Sequence, residues 1–156
     1  MRVSESLKLV PMIESQDYGS AGIDSDSVNM GLVASIALCF LFGALTGDSV
    51  LKVYCGASAG TKTTAVAFQY RLGSGDYKAT NADGFGDLVD VASTGLTLTA
   101  ATFDHRAVVI EVRPDMLTDG VPWVTIEINS TATVLNVACQ GVADPRYSTH
   151  GQVSVI

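Results

Sequence analysis

Nine residues, Gly56 to Thr64 (GASAGTKTT), come within one position of a nucleotide-binding loop. The phosphate signature G-x-x-x-x-G-K-[ST] uses backbone N–H groups to cradle phosphates, a lysine to meet the β and γ oxygens and a hydroxyl to hold Mg²⁺. Lys62 and Thr63 stand in place after Gly56, but Thr61 occupies the glycine position before the lysine, and Gly60 falls one residue early. The flanks decide the matter. A phosphate loop must open a helix, whose N-terminus supplies the anion site. Here Thr64, Val66, Phe68, Tyr70 and Leu72 alternate with Ala65, Ala67, Gln69 and Arg71, the period of a strand with one bulky face. The stretch therefore reads as a hairpin connection between two strands.

Other chemistry is equally thin. Asp24, Asp26 and Asn29 in IDSDSVN resemble the start of a calcium loop, but Val28, Asn29 and Ser35 occupy the places that need Asp/Asn, Gly and Glu. His105 and His150 lack a partner at metal-ligand spacing and read as ordinary surface residues. No H-E-x-x-H or G-x-S-x-G occurs. Asn129-Ser130-Thr131 matches a glycosylation triplet and reads as a turn. Tyr77 and Phe85 lie in a glycine-rich loop where exposed rings would suit a glycan platform; Phe85 is expected to tuck inward. The expectation is a non-enzyme with no cofactor, no metal and no small-molecule substrate.

The elements that must position these residues follow a period of two. The chain of 156 residues carries 9 Lys/Arg against 16 Asp/Glu, a net charge of −7, with 47% apolar residues and 16% charged. An acidic balance opposes nucleic acid and anionic membrane surfaces as partners. Leu32 to Leu45 is the longest apolar run, short of the ~20 residues a membrane helix needs; it reads as a buried strand or two. The start, MRVSESLKLVPMIES, shows no secretory h-region. Cys39, Cys55 and Cys139 lie in apolar stretches and fit a reducing cytosol.

Alternation marks further strands at Val50–Cys55, Gly95–Thr99, His105–Arg113, Val121–Ile128 and Thr133–Val142, with Ile23–Met30 as another. Pro114 starts a helical turn or broad loop. About eight short strands joined by Gly/Asn/Asp/Thr turns predict an all-β antiparallel β-sandwich, jelly-roll-like, with an Ig-like sandwich or small barrel as alternatives. The domain reading is residues 1–20 as an N-terminal arm or edge strand, 21–143 as the sandwich and 144–156 as a C-terminal tail.

The succession GDSVLKVYCGASAGTKTTAVAFQYRL, LTLTAATFDHRAVVIEVRPDML and WVTIEINSTATVLNVACQGVADPRY, preceded by SQDYGSAGIDSDSVNM, resembles small structural proteins encoded by tailed bacteriophages. The resemblance covers about residues 15–147 and rests on strands and turns, so it transfers no site residues. It implies a virion component, a capsid cement or decoration protein, often a trimer. Partners would be the major capsid protein and copies of itself. The place would be the outer capsid surface, after synthesis in the host cytoplasm. The attachment expected is apolar contact plus strand augmentation through the termini, with Leu7, Leu9, Met12, Ile13, Arg146 and Tyr147 as the interface candidates. The alternative is a head-fibre or tail-associated receptor or glycan-binding module.

Overall fold

A computed structural model describes residues 7–79 and 84–146. Within them lie twelve strands: β1 (Lys8–Asp17), β2 (Ile23–Asp24), β3 (Val28–Asn29), β4 (Val33–Thr46), β5 (Ser49–Gly56), β6 (Thr64–Val66), β7 (Phe68–Leu72), β8 (Val89–Val91), β9 (Leu96–Leu98), β10 (Ala107–Val112), β11 (Trp123–Ser130) and β12 (Val134–Pro145). One helical turn, α1 (Ala100–Phe103), and a 3₁₀ turn at Pro114–Met116 join them. None of the described helices is long and apolar enough to cross a membrane.

Every strand pairing is antiparallel. The first sheet runs β1-β12-β4-β10-β7-β8 and the second β2-β11-β5-β6, with β3 also on β11 and β9 also on β5. With β2 and β3 sharing one position along β11, eight strand positions remain: β1-β12-β4-β10 in one sheet and β2/β3-β11-β5-β6 in the other. Through these positions the chain alternates between the sheets except at β5 and β6, a hairpin within the second sheet, and this order is a jelly roll. β7 and β8 extend one edge of the first sheet. The strand expected at Gly95–Thr99 is the extra pairing β9 on β5, and β1, expected as an arm or edge strand, supplies one of the eight positions.

Side-chain alternation drives the layers together. Val124, Ile126 and Ile128 of β11 and Leu38, Phe40 and Phe42 of β4 are all at most 1% exposed and belong to one apolar cluster. Phe40 stacks on Phe42 with ring centroids 5.9 Å apart, and Phe103 of α1 meets Phe42 edge-on at 6.3 Å, closing one end of the sandwich. β12 reads as expected: Leu135, Val137 and Cys139 are buried while Asn136, Ala138 and Gln140 face out.

Two expectations are corrected and one open alternative is decided. The single strand foreseen over Thr64–Leu72 divides at Ala67, β6 pairing with β5 in one sheet and β7 with β10 in the other. Ile23–Met30 is two short strands, separated by a turn in which the Ser25 hydroxyl accepts a hydrogen bond from Ile126 N. The front segment is an edge strand, not an arm. β1 pairs with β12 from Lys8 to Asp17, and a bulge between Pro11 and Ile13 brings both Met12 and Ile13 into the core, 4% and 6% exposed. Asp17 secures its end by accepting a hydrogen bond from Leu135 N at 2.8 Å.

Candidate functional site

The outer face of the first sheet departs from the polarity that an antiparallel sheet usually shows to water. Residues directly opposite on neighbouring strands share a face. One outward row therefore reads Pro11, Gln140, Cys39, Val109 and Arg71 from β1 to β7. The next reads Ala138, Leu41 and Ala107. No charge appears in either row until Arg71 at the flank, whose guanidinium is turned to the Gly86 carbonyl at 3.0 Å. Charge returns one row away, at Glu111 opposite Gln69.

These rows floor a depression of about 530 Å³ in which, among the described residues, Gln140 is the only amide, hydroxyl or charged side chain. Leu41 rises from it at 52% exposure and Phe85 bounds it at 48%. Phe85 is placed there by a single bridge to Gly73, beyond the end of β7. Its expected inward turn is corrected: the ring is about half exposed and stands on the rim of the depression. The Cys39 thiol is half-buried in this apolar floor, and burial raises its pKa. Cys139, on the neighbouring strand, is raised further by its own burial and by Cys39 nearby.

The opposite outer face, on the second sheet, is charged. Lys62 donates to Asp24 at 2.8–2.9 Å and also to Glu127, and its Nζ lies 5.9 Å from the Tyr54 ring centroid. The loop that looked like a phosphate cradle thus folds back onto its own sheet. Thr61 closes the turn on Ser58, and Gly60 N donates to the Ser27 hydroxyl at 2.8 Å. Gly56 lies so close under the Thr61 carbonyl that a Cβ there would collide with it. Asp24 is committed to Lys62 and the Asn29 side chain to Gly31 N, so the calcium-like stretch gathers no ligand set. Among the described residues no group of three or more His, Cys, Asp or Glu could hold a metal ion.

Lys62 gives the cluster a pH signature. Hydrogen bonds to Asp24 and then Glu127 hold its ammonium above the ordinary 10.5. A pKa raised by folding contributes stability that is complete below the unfolded value and disappears as pH climbs through the folded one. Lys62→Met is therefore expected to cost about 1 kcal/mol or less near neutral pH, as for a partly exposed pair. Its deficit against the parent chain should vanish in urea titrations taken well above pH 10.5.

His105 is not the plain surface residue expected. It adopts φ +52° in the turn before β10, donates its backbone N–H to the Gly43 carbonyl, and bonds Lys78 Nζ through Nε2 at 2.8 Å. The Tyr77 ring stands edge-on to it at 6.0 Å, and its Nδ1 is buried without a partner among the described residues. His150 lies outside the described residues.

The sequence-named interface residues scatter. Leu9 is 48% exposed and continues the apolar face through its pairing with Val142, whereas Met12 and Ile13 are mostly buried in this chain's own core, Ile13 also lining the depression. Leu7 is half-buried just before β1. Arg146 is tied down, its backbone N–H on the Leu32 carbonyl and its Nε on the Val33 carbonyl. Tyr147 lies outside the described residues. Sequence reasoning missed Cys39, Leu41 and Val109. For Cys39 and Leu41 the signal was present: LVASIALCFLFGAL does not alternate as a half-exposed strand should, because β4 is apolar on both faces, while Val109 lies in the nearly continuous apolar centre of HRAVVIEVR.

Both edges of the first sheet are guarded. β1 carries Pro11 and two register shifts, and β8 is three residues long with Asp90 at its centre. Short, bulged, charged or proline-bearing edges resist pairing with another chain. The first sheet is therefore open to contact by its face and not by its edges. Compared with protein-family models, with curated proteins and with solved structures, the chain finds no match.

Proposed function

We propose that this chain is a virion structural protein of a tailed bacteriophage, a capsid cement or decoration protein that docks through the outer face of its six-stranded sheet. The observation that carries the reading is the uncharged depression with Leu41 and Phe85 exposed about it. Contiguous exposed apolar surface rimmed by polar groups marks interaction sites, and interface centres are depleted of charge in the same way. The resemblance of the strand-and-turn succession to phage structural proteins supplies the partner class. The guarded edges of this sheet argue against strand augmentation at β1 or β8 and favour face-to-face burial.

Purified protein mixed with empty capsids is expected to co-sediment in stoichiometric amounts and stay in the supernatant alone. No co-sedimentation would contradict the reading. A second reading, a receptor or glycan module of a fibre or tail, draws support from the exposed rings of Tyr77 and Phe85 on one loop, 43% and 48% exposed. It predicts a few copies per particle and loss of cell or glycan binding on Tyr77→Ala, a change outside the depression.

A further inference from the structure

Among the described residues, His105 Nδ1 is the one buried side-chain polar atom without a hydrogen-bond partner. The residue's backbone is left-handed at φ +52°, a conformation uncommon outside glycine. Three neighbours bear on the ring. Lys78 Nζ lies 2.8 Å from Nε2, the Asp104 carboxylate lies 3.8 Å from the same nitrogen, and the Tyr77 ring stands edge-on at 6.0 Å. An ammonium only donates. Nε2 therefore accepts from Lys78, and the neutral ring carries its one proton on the partnerless Nδ1. We propose that His105 is a proton-operated latch: neutral, it holds Lys78; protonated, it releases Lys78 and gives its Nε2–H to Asp104.

The exchange follows from two groups competing for one nitrogen. A proton on Nε2 removes the lone pair that Lys78 uses and sets two cations at hydrogen-bond distance, a like-charge contact. Asp104 is in place to take the new donor. Its Oδ1 accepts from Leu45 N at 2.9 Å, which fixes the carboxylate, and Oδ2 is the oxygen 3.8 Å from Nε2. The imidazole is only 20% exposed, so solvent screens these contacts incompletely. The other charged groups nearby are engaged elsewhere: Arg106 on the Gly73 carbonyl at 2.6 Å and Asp76 on the Lys78 backbone N–H at 2.8 Å. From β4 the residue meets the Gly43 carbonyl, and α1 carries no charge. The released piece is bounded. Arg106 on Gly73 and Arg71 on the Gly86 carbonyl hold the two ends of the glycine-rich excursion without help from the imidazole. In acid the turn around Lys78, with the exposed Tyr77 on it, loses its side-chain tether and keeps the Tyr77 N–H on the His105 carbonyl.

The test is NMR of the imidazole nitrogens in the full chain carrying His150→Gln, which leaves His105 as the only histidine. Above the titration midpoint the ring is expected to show the Nδ1–H tautomer, and below it a proton on both nitrogens. Lys78→Met removes the competing cation and should move the midpoint up by about half a pH unit or more. Asp104→Asn keeps the oxygen that accepts from Leu45 N and should move it down by a similar amount. Both side chains are exposed, so the sandwich is expected to fold in either variant, as circular dichroism checks. Amide hydrogen exchange at Lys78 and Ala79, corrected for its intrinsic pH dependence, should quicken below the midpoint in the parent chain and be quick on both sides of it in Lys78→Met. An Nε2–H tautomer at high pH would overturn the proposal. So would a midpoint indifferent to either substitution, or corrected exchange that ignores pH in the parent. No capsid enters these measurements, so their failure leaves the docking reading standing and separately testable.

Discussion

Leu41→Glu is expected to abolish stoichiometric co-sedimentation with capsids while leaving the sandwich as stable as the parent. Leu41 is 52% exposed on the outer face, so its exchange for a polar side chain removes little folded-state burial; surface changes of this kind usually stay within about 0.5 kcal/mol. In the docked state the same position sits at the centre of an uncharged depression. A carboxylate there would be desolvated without a partner. Central contacts commonly carry ~2 kcal/mol or more of binding, so the affinity should fall about thirtyfold or further. Circular dichroism and thermal melting of the variant would confirm that the loss is not one of folding. Retained binding with an unchanged melt would remove the depression from the interface.

One residue earlier on the same strand, the expected effect reverses. Phe40 is 1% exposed, stacked on Phe42 and opposite Val108 and Cys139 on the flanking strands. Phe40→Ala deletes a ring from a close-packed interior and leaves a cavity, a change worth about 3–5 kcal/mol. For a domain of this size a loss of ~4 kcal/mol lowers the melting temperature by roughly 8–16 °C. The outer face is untouched, so below its melting temperature the variant should still pellet with capsids. The pair separates folding from docking across a single peptide bond. A Phe40→Ala protein that melts like the parent would contradict the packing described for the core.

Much of the sandwich was readable because half-buried antiparallel strands write their two faces into alternate residues. β12 shows this from Leu135 to Gln140 and β10 nearly so, and both lie where the pattern put them. The near-miss phosphate loop resolved as a hairpin for the same reason: strand period follows it, and Thr61 sits where backbone proximity to Gly56 leaves no room for a ligand. The split at Ala67 was hidden, since a chain crossing between sheets without losing parity keeps bulky residues inward on both sides. Val66 and Phe68 are both buried, in different sheets. The place of β1 was hidden too. Its partner β12 lies at the far end of the chain, and an apolar patch such as LVPMI fits an edge strand or an arm equally well until that pairing is known.

The apolar outer face was half-legible. An apolar run without alternation says that a strand is apolar on both sides, but not whether the second side is covered by protein or left open. For β4 that distinction rests on β12 and β10, which supply Ala138, Ala107 and Val109 around Leu41 and Cys39 instead of charges. No single strand contains the depression. It exists only in the lateral order of the sheet.

The most direct test of the docking face is site-specific photo-crosslinking on assembled capsids. A benzophenone side chain placed at position 41, on the apolar face, is expected to join the chain to the major capsid protein. The same group at position 129, on an exposed site of the opposite sheet, is expected to give none. Crosslinks from position 129 with silence at position 41 would show that the chain docks by its other side.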